Sequence, residues 1–133
     1  MADATQLTDL QLALMRVLWD RGEATVADIA DALRPVRELA PTTIATLLSR
    51  LEKRGVVDHT PHGRQYVSRP RVSESEVRRS MVSGLTDLLF GGDVAALMSH
   101  LLDAGSVRPG DLEKVRSLIA DAEARSGRKG GRR

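Results

Sequence analysis

Cysteine is absent from this chain, and that one absence closes several lines of chemistry together. No disulfide, thiolate zinc site, iron–sulfur cluster or cysteine nucleophile can form, and a cysteine-free chain suits a reducing cytoplasm. Aromatic residues amount to 2%, namely Trp19, Tyr66 and Phe90. That leaves little with which to stack the bases of single strands or RNA. No stretch approaches ~18 consecutive apolar residues, so neither a transmembrane helix nor membrane insertion is expected. The opening MADATQLTDL has no basic segment followed by an apolar run, so a secretory signal is not expected either. Neither sign of charge dominates, with 20 Lys and Arg against 18 Asp and Glu. What is present is ordinary for a globular protein: 133 residues, 41% apolar and 29% charged, enough for one compact domain or two small subdomains.

The apolar residues are spaced for helices. Leu7, Leu10, Leu14, Val17 and Leu18 form one stripe, and Leu12, Met15 and Trp19 a second, so a first helix over about Asp9–Arg21 packs on two sides. Thr8 with Gln11 makes a capping box at its start, and Gly22 ends it. Thr25 with Asp28 starts a second helix, which Pro35 stops near Arg34. Pro41 opens a third helix running to Arg54, with Gly55 as its stop. The period then changes: VVDHT and RQYVS are strand-like runs joined by Pro61-His62-Gly63, so Val56–Arg69 reads as a β-hairpin closed by Pro70. Helix, helix-turn-helix and hairpin is the winged-helix order.

Helical spacing returns after Val72. Ser73 and Glu76 cap a helix carrying Val77, Met81, Leu85, Leu88 and Leu89, which ends at Gly91-Gly92. Asp93 caps a short helix with Val94, Leu97, Met98, Leu101 and Leu102, and Pro109 opens a last one with Leu112, Val115, Leu118 and Ile119. The Gly- and Arg-rich residues 126–133 are expected to be disordered. The fold class is therefore mainly α with a small β-hairpin wing. It comprises a winged helix-turn-helix over 1–72 and a C-terminal helical dimerisation subdomain over 73–125. Three short amphipathic helices cannot enclose a stable core alone. Pairing Leu85, Leu88, Leu89, Leu97, Leu101, Leu118 and Ile119 across a two-fold axis would cover their apolar faces and make a homodimer.

On a helical wheel, Ile44, Leu47, Leu48 and Leu51 of the third helix share the core side. Opposite them lie Thr42, Ala45, Thr46, Ser49 and Lys53, flanked by Thr43 and Arg50. An ordinary solvated face mixes charge signs; this one has no acid, because Glu52 lies off it. Small side chains let a helix approach base edges, and threonine and alanine methyls can meet the thymine methyl. From Arg50 to Arg71 six basic residues stand against Glu52 and Asp58, a local +4 in a chain of net +2. A wing tipped by His62, Gly63 and Arg64 beside a basic helix end suits phosphate anchoring. The candidate DNA-contacting residues are Thr42, Thr43, Ala45, Thr46, Ser49, Arg50, Lys53, Arg54 and Arg64.

The stretches LTDLQLALMRVLWDRGEATVADI, APTTIATLLSRLEKRGVV and HGRQYVSRP, followed by FGGDVAALMSHLL, resemble the BlaI/MecI/CopY repressors of β-lactamase and copper-export genes. The resemblance extends from about Leu7 to Ile119. It implies a winged-helix homodimer that represses an operon, with the C-terminal helices making the dimer. The best-known branches carry Ser-Pro-Lys-Thr-Ile-Arg-Thr where this chain has Ala40, Pro41, Thr42, Thr43, Ile44, Ala45 and Thr46. Thr43, Thr46 and Arg50 match positions that the resemblance implies contact DNA. Thr42 and Ala45 replace basic residues, so a different operator is implied. Ala40 is also a poor N-cap. The copper-sensing branch carries a C-terminal cysteine cluster, which this chain lacks, and soft thiolates are what such sites use. The β-lactamase branch is relieved by proteolysis in its C-terminal domain, after an asparagine and before a phenylalanine. That pattern falls here on His100 and Leu101, and it implies a membrane sensor protease as partner.

His59 and His62 stand three apart, a spacing that does not put them on one face of a strand, and nothing completes a metal-ligand set. His100, among apolar neighbours, reads as a partly buried interface residue. No Ser/His/Asp or paired-carboxylate arrangement stands out, so neither an enzyme nor a cofactor is expected. The residues point to a cytoplasmic, dimeric repressor that binds double-stranded DNA at a short palindromic operator. Two other classes stay open. A non-specific architectural DNA-binding protein would lose its binding with salt and show no operator preference. A winged-helix protein-interaction module would not touch nucleic acid at all.

Overall fold

Reciprocal capping boxes set the starts of three helices. In α1 (Asp9–Arg21) the Gln11 N–H donates to Thr8 Oγ1 at 3.1 Å, and the Thr8 N–H donates back to Gln11 Oε1 at 3.0 Å. Thr25 and Asp28 repeat the arrangement at the start of α2 (Val26–Leu33). Ser73 and Glu76 do so ahead of α4 (Glu74–Phe90). Each box satisfies N–H groups that the first helical turn cannot pair for itself. Between α2 and α4 lie α3 (Pro41–Lys53), β1 (Val57–His62) and β2 (Gln65–Pro70). Two further helices follow, α5 (Val94–Asp103) and α6 (Pro109–Gly130). The computed structural model describes residues 6–130, and it divides into two compact units, Met1–Leu85 and Thr86–Arg133.

The first unit holds the core. Leu14, Met15 and Leu18 of α1, Ile29 of α2, Ile44 and Leu51 of α3, and Val56, Val57 and Val77 are buried almost completely. The Trp19 indole N–H donates to the Val72 carbonyl at 2.9 Å, tying the chain just past the hairpin to α1. Val77 lies inside this core, so the first half of α4 belongs to the winged-helix unit. The division between units falls inside α4, later than the 72/73 boundary that the capping box at Ser73 indicated. A helix start is a local event, whereas a domain boundary depends on what the helix buries.

The hairpin turns later than the sequence indicates. β1 and β2 are antiparallel with Pro61 opposite Tyr66 and His62 opposite Gln65. Gly63 and Arg64 therefore form the turn, in place of Pro61-His62-Gly63. Gly63 has φ +67° and, among the described residues, no non-glycine residue has positive φ, which matches the Gly-X pattern of a II′ turn and its fit to twisted strands. The closing pair exchanges the hydrogen bonds, so Pro61 falls at the next, non-bonded pair, where its missing N–H costs nothing. Ala24 adds an isolated bridge to β2: its N–H donates to the Ser68 carbonyl at 3.0 Å and its carbonyl accepts from Ser68 N–H at 2.9 Å.

In the second unit, Asp93 caps α5 by accepting from the Ala96 N–H at 3.1 Å. No residue of α5 is buried, and Leu88 and Leu118 are 80% and 64% exposed. α6 continues to Gly130, so helix covers much of the 126–133 stretch expected as disordered. Leu118 to Arg128 offers only one glycine against a run of good helix formers, and propagation costs less than nucleation. Residues 131–133 lie outside the described residues.

The Asp28 carboxyl is held below its ordinary 3.8 by the Thr25 backbone N–H and then the Thr25 hydroxyl, with Arg21 adding a smaller charge effect. A lowered folded-state pKa stabilises the fold above the unfolded value, and that contribution disappears as pH falls through the folded one. Urea unfolding midpoints measured from about pH 6 down to about pH 2 are expected to fall less steeply for Asp28→Asn than for the parent chain, the two converging at the acid end.

Candidate nucleic-acid interface

α3 is placed by what it buries. Ile44 and Leu51 have no exposed surface, and Leu48 very little. A helix that sinks this edge must turn the opposite one outward, and Thr42, Thr43, Ala45, Thr46, Ser49, Arg50 and Lys53 are all exposed. The helix begins on Pro41 at its first position, with Ala40 giving no side-chain cap. Only the Ala40 carbonyl serves the start, accepting from Thr43 and Ile44 N–H at 3.0 and 3.2 Å. The first turn carries no acid, so nothing neutralises the partial positive charge of the free N–H groups there. The Thr46 hydroxyl donates to the Thr42 carbonyl at 2.9 Å.

The basic residues of the region divide into two groups. Arg50, Lys53 and Arg64 are exposed, and among the described residues no ion pair or hydrogen bond occupies them. Arg64 stands at the tip of the hairpin, immediately after Gly63. The others are engaged within the chain. Arg69 donates to Glu23 at 2.8 Å, and Arg71 lies 4.0 Å from Asp58. Arg54, a candidate DNA contact by sequence, is half-buried and turned inward instead. Its guanidinium donates to the Gln6 carbonyl and, at 3.5 Å, to Gln11 Oε1. It caps the end of α3 and holds the segment ahead of α1, so it is not presented with Arg50 and Lys53.

Four contacts here have no sequence signature, because they join residues from different elements. The Ala24–Ser68 bridge and the Glu23–Arg69 pair fasten the α1–α2 connection to β2. Glu52 contacts His59 Nδ1, linking α3 to β1. His59 in turn meets Tyr66 edge-on at 5.0 Å between ring centroids. The one acid of α3 is thus engaged by the wing. An open recess of about 360 Å³ lies between α3 and the hairpin, lined by Ala45, Ser49, Glu52, His59 and Tyr66 among others. Among the described residues no three His, Cys, Asp or Glu side chains come together as a metal-ligand set. His100, expected at an interface, is exposed in the single chain, with its ring 5.8 Å from that of Phe90.

The arrangement is similar to known proteins. A family model described as penicillinase repressor matches residues 7–121. The transcriptional regulator BlaI of Mycobacterium tuberculosis is 33% identical over 129 residues, covering 96% of this chain and 92% of that protein. The penicillinase repressor of Bacillus licheniformis is 22% identical over 120 residues, covering 90% and 94%. Among solved structures, the DNA-binding domain of the repressor BlaI superposes with a TM-score of 0.50 at 32% identity, over 55% of this chain and 89% of that one.

The inward turn of Arg54 separates two kinds of basic residue by experiment. Arg54→Ala is expected to lower unfolding stability by ~1–3 kcal/mol, the range for leaving partly buried hydrogen-bonding groups unmatched. The salt dependence of any nucleic-acid binding is expected to stay unchanged. Denaturant melts and binding titrations at several salt concentrations measure the two effects on one variant.

Proposed function

The chain belongs to the penicillinase repressor family, whose members are DNA-binding transcriptional repressors rather than enzymes, and on that premise we propose that it acts as a homodimer on a short palindromic operator in the cytoplasm. The observation that carries this reading is the outer face of α3: its side chains are small and exposed, the one acid of the helix, Glu52, contacts His59 of the wing, and Arg50 and Lys53 stand at its C-terminal end with Arg64 on the wing. Thr43, Thr46, Ala45, Thr42 and Ser49 meet base edges in the major groove. Arg50, Lys53 and Arg64 meet phosphates on either side. A two-fold dimer matches a two-fold operator, with half-sites about one helical turn apart or a multiple of it.

Dimerisation runs through the second unit and Leu85, the last residue of the first. Leu85, Leu88, Leu89, Leu101, Leu118 and Ile119 are exposed and Leu97 is half-buried. Such a concentration of apolar side chains on three amphipathic helices is what a second copy covers. Relief of repression comes from a cut at His100–Leu101 by a membrane sensor protease. Both residues are exposed, and α5 is short and bracketed by Gly91, Gly92 and Gly105, which makes local opening inexpensive. Losing the dimer makes each half bind alone and forfeits an advantage of ~10²–10⁴ in apparent affinity.

Footprinting upstream of the chain's own gene is expected to show a protected palindrome. On that site Arg50→Ala and Arg64→Ala each lower affinity for all sequences and reduce the salt slope by about one unit. Unchanged affinity in Arg50→Ala would mean that α3 docks in another way, and equal affinity for operator and random DNA would leave an architectural role.

Sedimentation at micromolar concentration is expected to give a dimer for the full chain. A fragment ending at His100 is expected to be monomeric and weakly binding on the same operator. A fragment that dimerises and binds as the full chain does would remove proteolysis as the release mechanism.

A further inference from the structure

Thr46 is exposed in the middle of the outer face of α3, yet its hydroxyl hydrogen is not offered to a ligand. It donates to the Thr42 carbonyl one turn back, at 2.9 Å. A hydroxyl has a single hydrogen to donate, and this one is used by the helix itself, a back-bond available to serine and threonine in helices. Thr46 therefore has no donor for the major-groove acceptors of guanine or for thymine O4 unless that bond breaks. With the oxygen drawn back along the helix, the Cγ2 methyl is the apolar group left for a partner. Ala45, next to it and also exposed, offers nothing but a methyl. Among the groups a base pair presents in the major groove, the apolar one is the thymine C5-methyl.

From this geometry we infer that Thr46, together with Ala45, selects thymine in each half-site through methyl–methyl contact. The Thr46 hydroxyl acts as a positioning group that holds the rotamer. The bond to Thr42 fixes the side chain before DNA arrives, so less rotamer freedom is lost on binding. The inference rests on the reading of α3 as the groove-bound helix, and goes beyond it by assigning the base and the chemical group that reads it.

The test uses the full chain and the footprinted operator, with each thymine replaced in turn by uracil. That change removes the C5-methyl and leaves the base-pairing and O4 in place. One or two positions per half-site are expected to lose about fourfold in affinity, the equivalent of one buried methyl-sized group. Thr46→Val keeps the methyl but loses the bond to Thr42; it is expected to bind more weakly, through the lost positioning, and to keep the uracil sensitivity at that thymine. Thr46→Ser keeps the hydroxyl but lacks the methyl. It is expected to bind the thymine operator about fourfold more weakly and to be indifferent to uracil at that position, which identifies the thymine read. Wild-type affinity in Thr46→Ser, loss of the uracil sensitivity in Thr46→Val, or no thymine at which uracil matters would each overturn the inference while operator binding itself stands. An absence of operator preference in the parent chain would overturn it along with the proposed function.

Discussion

Ile44 and Leu51 of α3 are completely buried in a core shared with Leu14, Met15 and Leu18 of α1, Ile29 of α2 and the two valines that enter the hairpin. That burial fixes the rotation of α3 about its own axis. With 3.6 residues per turn, sinking Ile44, Leu48 and Leu51 leaves Thr42, Ala45, Thr46 and Ser49 no direction but outward. Deleting methylenes at such positions typically costs ~2–5 kcal/mol, far more than any contact on the outer face contributes to folding. The presented surface is a consequence of the core, and its residues are free to serve a ligand because the fold does not need them.

The same division governs charge. Arg69 and Arg71 face carboxylates of their own chain, and Arg54 is drawn into the body of the first unit. Arg50, Lys53 and Arg64 face solvent. Exposed ion pairs add little to stability, so the engaged arginines matter mainly for what they withhold. They narrow a broad basic segment to a few cations beside the helix and at the wing tip. Glu52 is likewise engaged within the chain, through its contact with His59. Membership of a family of DNA-binding repressors agrees with a surface arranged in this way.

The second unit poses the opposite problem. No residue of α5 is buried, and leucines of α4 and α6 stand in solvent in the single chain. At ~25 cal/mol per Å² of apolar area, covering those faces is a large part of what such a small unit can gain. The proposed dimer is the means by which its amphipathic pattern becomes a core.

The starts of the helices, the winged-helix order and the outer face of α3 were legible in the amino-acid sequence because each depends on local spacing. A capping box spans three residues, a helical stripe repeats within a turn, and proline and glycine act on their own backbone. The resemblance to known repressors drew on the same stretches. Tertiary structure alone decided that Arg54 reaches Gln6, that Glu52 meets His59, and that Ala24 joins Ser68. It also decided that Gly63-Arg64 makes the turn, since register follows from how the strands pair and not from which residues favour turns. Val77 fell to the first unit for a similar reason, as burial against α1 outweighed the helix start at Ser73. These outcomes depend on residues far apart in the chain and brought together by packing, and a long flexible side chain such as arginine carries no mark in its sequence position of which partner it will reach.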